Sequence, residues 1–110
     1  MSGLMIGDIA VQRIIEEEVP FFIPHETFVE ATPEALAPHR HWLEPNAMDP
    51  ETGMLILPFQ SYLVRTKHHT ILIDTCIGCG KSITHRPQWF QRTDQTWLNN
   101  LRAAGLQPEA

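Results

Sequence analysis

Two apolar runs separated by three residues constrain this chain more than any other feature. They are MLILPFQSYLVRT (residues 54–66) and TILIDT (residues 70–75), with Lys67-His68-His69 between them. A tight turn that sets Thr66 opposite His69 pairs Val64 with Ile71, Leu63 with Leu72 and Tyr62 with Ile73. Each of these pairs is apolar on apolar, which favours that antiparallel register. The same register sets Ser61 opposite Asp74. The second run is apolar on both faces, so it is expected to be a central strand covered on two sides.

The rest of the chain supplies fewer elements. Residues 6–19 read as strand, with the β-branched Ile9, Val11, Ile14 and Ile15. The alternation breaks at Ile14-Ile15, which admits a bulge. The acidic run Glu16-Glu17-Glu18 reads as a solvated strand end rather than a metal site. Pro20 and Pro24 bracket Phe21-Phe22-Ile23, which reads as an irregular stretch laid on a core. Thr32-Pro33-Glu34 opens a short helix with a hydroxyl cap, a proline in the first turn and an acid at the positive end of the dipole. Pro38 interrupts or restarts it. EPNAMDPETG (residues 44–53) is turn-rich. A final helix is capped by Thr93 or Asp94. It carries the stripe Trp97, Leu98, Leu101 and Ala104, and ends at Gly105 with Pro108 beyond.

Composition narrows the function classes. A chain of 110 residues suits one small domain. The net charge of −5, with no dense block of Lys or Arg, argues against a nucleic-acid partner, whose phosphates need a basic face. No segment approaches the ~20 apolar residues that span a bilayer, so no membrane partner is expected. The N-terminus has no basic stretch followed by an apolar core, and two cysteines make no disulfide framework. A cytoplasmic location is the expectation.

The stretch ILIDTCIGCGKSITH (residues 71–85) admits three chemical readings. As a phosphate-binding loop it fails on spacing, because a Walker A motif needs glycine at the position of Thr75. As a Cys-x-x-Cys redox dithiol, Cys76 and Cys79 lack the helix N-terminus that would lower a thiol pKa, since residues 80–87 do not propagate a helix. A zinc knuckle would need a second ligand pair, and His39, His41, His68, His69 and His85 show no finger-like spacing. The third reading is a strand that delivers Asp74 to a loop. Ser61 can then donate to Asp74, whose carboxylate stitches the loop from Thr75 to Gly80 through backbone N–H groups and orients a site above the strand ends.

GMLILPFQSYLVRTKHHTILIDTCIGCGK, followed after a spacer by TWLNNLRAAGLQPE, resembles the N-terminal part of metallo-β-lactamase-fold hydrolases, in the branch of lactonase-like and organophosphate-hydrolase-like enzymes. The similarity runs from about Ile6 to Glu109. The family usually has glycine where Cys76 stands. The resemblance implies an α/β (α+β) fold, the N-terminal portion of an αββα sandwich with mostly antiparallel strands and one clear amphipathic helix. It also implies a parent with a two-metal, usually zinc, hydrolytic site that acts on a small-molecule ester, lactone, amide or phosphoester. The family's His-x-His-x-Asp-His signature does not occur here. His39-Arg40-His41 lacks the Asp-His that would follow, and no metal ligand or catalytic residue is assigned to the chain.

What the resemblance leaves are residues that position the loop beneath such a site: Asp74, Ser61, Thr75, Gly78 and Gly80. Residues 1–110 are therefore expected to be a single, incomplete domain, inactive alone, with open sheet edges that drive self-association. Two readings stand beside this one. One is a non-catalytic module that joins another chain through those edges, and the other is a small Cys/His metal-binding protein.

Overall fold

The hairpin forms in the expected register. In the computed structural model, which describes residues 3–109, Tyr62 pairs with Ile73, Leu63 with Leu72, Val64 with Ile71 and Arg65 with Thr70. The Thr66 N–H donates to the His69 carbonyl at 2.9 Å, and the Thr66 hydroxyl accepts from the backbone N–H of His69 at 3.0 Å. Thr66 thus closes a turn that lacks an Asn-Gly pair.

The fold is mixed α/β, with four antiparallel strands in one sheet and a few short helices. The sheet order is β1-β2-β3-β4, where β1 is Gly3–Ile6, β2 Ile9–Phe22, β3 Leu55–Arg65 and β4 Thr70–Ile73. The helices are α1 (Pro24–Thr27), α2 (Pro33–Leu36), α3 (Arg40–Leu43) and α4 (Thr96–Ala103), with 3-10 turns at Ala37–His39 and Pro87–Trp89. The chain divides into two compact units. One is Met1–Glu17 with Phe59–Ala110, and the other is Glu18–Pro58.

In the first unit, Ile14, Leu63 and Leu101 form the buried core, with Leu72, Trp97, Ala104 and Leu106 packed against it. The α4 stripe therefore faces the sheet as its spacing predicts. Gln95 holds the N-cap position of α4 without a side-chain cap, correcting the cap expected at Thr93 or Asp94. Asp94, one residue outside, accepts from the Thr96 N–H at 2.8 Å and from the Thr96 hydroxyl at 2.5 Å. The helix ends as expected at Gly105, whose φ is 89°. Ala104 gives its carbonyl to the Arg65 guanidinium.

Several expectations need correction here. The strand expected over 6–19 is two strands, folded at Gly7-Asp8. Gly7 takes φ 61° at the first turn position, the place a two-residue hairpin loop reserves for glycine. β4 is not central: it lies at the edge of the sheet, with Ile71 46% and Ile73 52% exposed. Only Leu72 turns toward the core. An apolar strand is covered on both faces only when the rest of a sandwich lies on it, and this sheet has α4 on one face of β4. The acidic run is not uniformly solvated either. Glu16 has the parity of Ile14 and is buried, at 5% exposure.

In the second unit, residues 21–22 belong to β2, correcting the irregular stretch expected there. β1 covers only Ile9–Gln12 of β2, and a strand with an open side is where proline is admitted. α2 starts as expected: the Thr32 hydroxyl accepts from the Ala35 N–H at 3.2 Å. The chain restarts at Ala37–His39 and again at α3, which spreads the helical run over three short pieces around Pro38. Met48 and Pro24 are buried in this unit, and Met48 bridges Leu55. The turn before Leu55 is tied by Asp49, which accepts from the Thr52 N–H and hydroxyl.

Candidate functional site

The loop after β4 combines unusual backbone with buried charge. Asp74, Cys76, Gly78 and Gly80 all adopt positive φ, at 70°, 59°, 82° and 71°. Left-handed backbone at every second residue curls the chain so that N–H groups turn inward. A concavity of that kind binds an anion. Here the anion belongs to the protein. Glu16, carried by β2, accepts from the Ile77 N–H at 3.2 Å and the Gly78 N–H at 2.9 Å.

Arg92 offsets the buried charge. Its guanidinium lies 3.5 Å from Glu16, 3.4 Å from Glu17 and 2.8 Å from Asp94, with its side chain 10% exposed. The loop is also joined to the segment that carries Arg92, because Gly80 N–H donates to the Arg92 carbonyl at 2.8 Å. The Glu16 carboxylate and the Arg92 backbone carbonyl thus hold the loop from two sides, and the guanidinium neutralises the buried carboxylate.

The residues expected from the sequence sit as follows. Asp74 is exposed and leaves the strand geometry. Its carboxylate accepts from the Cys76 N–H at 2.8 Å, a local loop tie. Ser61 does not donate to Asp74, because the β3–β4 ladder stops at Ile73. The fully buried Ser61 hydroxyl instead accepts from Trp97 Nε1 at 2.9 Å and lies 3.4 Å from Cys76 Sγ. Thr75 lines a cavity of about 450 Å³ between the hairpin and α4, together with Leu63, Leu72, Trp97, Leu101 and Leu106. Gly78 supplies an N–H to Glu16, and Gly80 supplies one to Arg92.

Sequence reasoning missed Glu16, Arg92 and the indole of Trp97. For Glu16 the signal was present, since it lies two residues beyond Ile14 on one strand and so shares its face. Arg92 had no such signal, because it lies in a segment without periodicity.

The Cys76 thiol is not activated by its surroundings. Burial pushes the Cys76 thiol up, the Ser61 hydrogen bond opposes this, and the negative charges of Glu16 and Asp74 add to the rise. A working dithiol needs the reverse shift. Cys79 accepts from Gln95 Nε2 at 3.4 Å.

Comparison with protein-family models, curated proteins and solved structures returns no match. Among the described residues no three His, Cys, Asp or Glu come together in a way that could hold a metal ion. His39 and His41, the pair nearest in sequence to a metal motif, lie in the second unit, where His39 Nδ1 accepts from Trp42 Nε1 at 3.2 Å. The donors among the described residues therefore do not gather into a two-metal centre. Among the described residues no helix is long and apolar enough to cross a membrane.

Proposed function

We propose that this chain is the N-terminal portion of a metallo-β-lactamase-type hydrolase, a metal-dependent, zinc-using enzyme for small-molecule esters, lactones, amides or phosphoesters in the cytoplasm. The observation that carries this reading is the braced loop at the end of β4. A hydrolytic metal site needs a rigid frame beneath its ligands, because ligands held loosely lose both affinity and rate. The loop from Thr75 to Gly80 is such a frame, fixed by Asp74 locally and by Glu16 and Arg92 across the fold. On this reading the four-stranded sheet with α4 is half of an αββα sandwich, and the metal ligands would come from sequence after Ala110.

The test has two arms. The coding sequence downstream of Ala110 is expected to give a strand and then His-x-His-x-Asp-His. The product carrying it is expected to hydrolyse a lactone or phosphotriester panel, to lose turnover to a chelator and to regain it with zinc. The 110-residue chain alone is expected to show no zinc-dependent turnover. A downstream sequence without the motif, or chelator-sensitive turnover by the 110-residue chain, overturns the reading.

A second reading is favoured by the open sheet edges. Leu4, Met5 and Ile6 of β1 and Ile71 and Ile73 of β4 are exposed apolar residues on the two edge strands, each with one side open among the described residues. They suit a module that joins another chain by strand addition.

A further inference from the structure

The geometry points to a specific occupant of the β4 edge: we infer that two copies of this chain pair there, antiparallel, about a two-fold axis through Leu72. The inference gives the edge-pairing reading a partner and a register. It is independent of the hydrolase reading.

The backbone parity comes first. Antiparallel ladders alternate between hydrogen-bonded and non-hydrogen-bonded pairs. Thr66 and His69 are a hydrogen-bonded pair, so Val64–Ile71 and Tyr62–Ile73 are as well. The N–H and C=O groups of Thr70 and Leu72 then point away from β3, toward an edge that no described strand covers. A two-fold axis through Leu72 makes this edge its own complement. Each Leu72 donates to and accepts from Leu72 of the second copy, and Ile71 faces Ile73 of the second copy.

Side chains and charges agree with that register. Opposed residues in an antiparallel pair share a face. The exposed Ile71 and Ile73 of both copies therefore meet as one apolar cluster, whose cross-strand neighbours on β3 are Val64 and Tyr62. On the opposite face the two Leu72 side chains meet beside the cavity lined by Trp97, Leu101 and Leu106.

The flanks are complementary in charge. The edge carries Lys67-His68-His69 at its start and Asp74 at its end, all exposed. Antiparallel pairing brings the Asp74 end of each copy's edge, just past Ile73, beside the Thr70 end of the other, near His69 and the turn that bears Lys67. Parallel pairing would set like against like. β1, the other open edge, has no basic group in its described turn, only Asp8.

The 110-residue chain tests this directly by sedimentation. A reversible monomer–dimer equilibrium is expected. Asp74→Asn keeps the acceptor for the Cys76 N–H, and is expected to raise the dissociation constant about three- to tenfold. Thr70→Pro removes an outward N–H that β3 does not use, and is expected to give monomer.

The register has its own readout. In a Cys76→Ser/Cys79→Ser background, Ile71→Cys chains mixed with Ile73→Cys chains are expected to cross-link under oxidised glutathione. Their Cα atoms fall at about 4.5 Å in a non-hydrogen-bonded pair, within disulfide reach. Neither chain alone is expected to cross-link. Both substitutions are at exposed positions and leave the core intact.

A chain that stays monomeric at about 1 mM overturns the proposal. Growth beyond dimer, the mark of β1 joining β4 of the next copy, also overturns it while leaving edge pairing itself standing. So does cross-linking of like with like in preference to the mixture.

Discussion

Gly78 gives its backbone N–H to the carboxylate of Glu16 at 2.9 Å, across 62 positions of chain. The neighbouring Ile77 N–H takes the other oxygen of the same carboxylate at 3.2 Å. Removing Glu16 leaves two inward N–H groups and a mostly buried Arg92 short of a partner. Glu16→Ala is expected to cost about 3 kcal/mol. Glu16→Gln keeps one acceptor oxygen and is expected to cost less. Thermal melts of the two variants check the order, and amide exchange at Ile77 and Gly78 checks the cause. Unchanged protection there in Glu16→Ala would refute the brace.

Asp74 combines a left-handed backbone, φ 70°, with a loop-tying side chain. The two contributions separate by substitution. Asp74→Asn keeps both the acceptor and a residue at ease in this conformation, and is expected to be nearly neutral to monomer stability. Asp74→Gly keeps only the backbone freedom. Asp74→Ala loses both and is expected to cost about 1–2 kcal/mol. Chemical denaturation gives the ranking, measured where every variant is monomeric. A stable Asp74→Ala would mean that the tie contributes nothing.

Cys76 occupies φ 59° and Cys79 does not, so their replacement is asymmetric. Cys76→Gly relieves a conformation that side chains rarely adopt, against the loss of the contact with Ser61. The double change Cys76→Gly/Cys79→Ser is expected to fold with a midpoint within about 1 kcal/mol of the parent. Collapse of the fold, or zinc released stoichiometrically from the parent on thiol modification, would restore a metal role to these residues.

Asp94 titrates with α4. Its carboxyl is lowered to about 2, chiefly by the hydrogen bond from the Thr96 hydroxyl and then by that from Arg92. A lowered carboxylate stabilises the fold above its unfolded value, near 3.8. That contribution is lost as pH falls from there through about 2. The group is well exposed, so the effect is expected to be about 1 kcal/mol rather than the full linkage value. Asp94→Asn keeps an acceptor oxygen for Thr96 and is expected to flatten this part of the acid profile. An unaltered acid melt in Asp94→Asn would assign the acid sensitivity elsewhere.

The legible parts of this molecule are those set by neighbours in sequence. The hairpin register followed from a tight turn that sets Thr66 opposite His69, together with the apolar pairs it produces from Val64–Ile71 to Tyr62–Ile73. The cap at Thr32 and the stop at Gly105 are local chemistry and could be read directly, whereas the N-cap of α4 falls on Gln95, one residue after the expected Asp94. The edge position of β4 was not legible, because two apolar faces describe what a strand would tolerate rather than what covers it. The partner of Ser61 was misassigned for a related reason. The register argument assumed that the strand continues to Asp74, where the backbone in fact turns left-handed. The short helix α1 was missed because four residues carry no periodicity.

The long reach of Glu16 also bears on the order in which the chain organises itself. The β3–β4 turn closes between residues three apart, whereas the brace closes between residues 61 and 62 apart. Ring closure over the longer span costs more chain entropy and must wait for the contacts that repay it. The curled loop is therefore expected to settle late, after β2 has docked, although it follows directly on the strand that forms earliest. Its amides act as a timer for the arrival of the N-terminal strand. In a pulse-labelling refolding experiment, Ile77 and Gly78 are expected to gain protection after Val64 and Ile71 rather than with them.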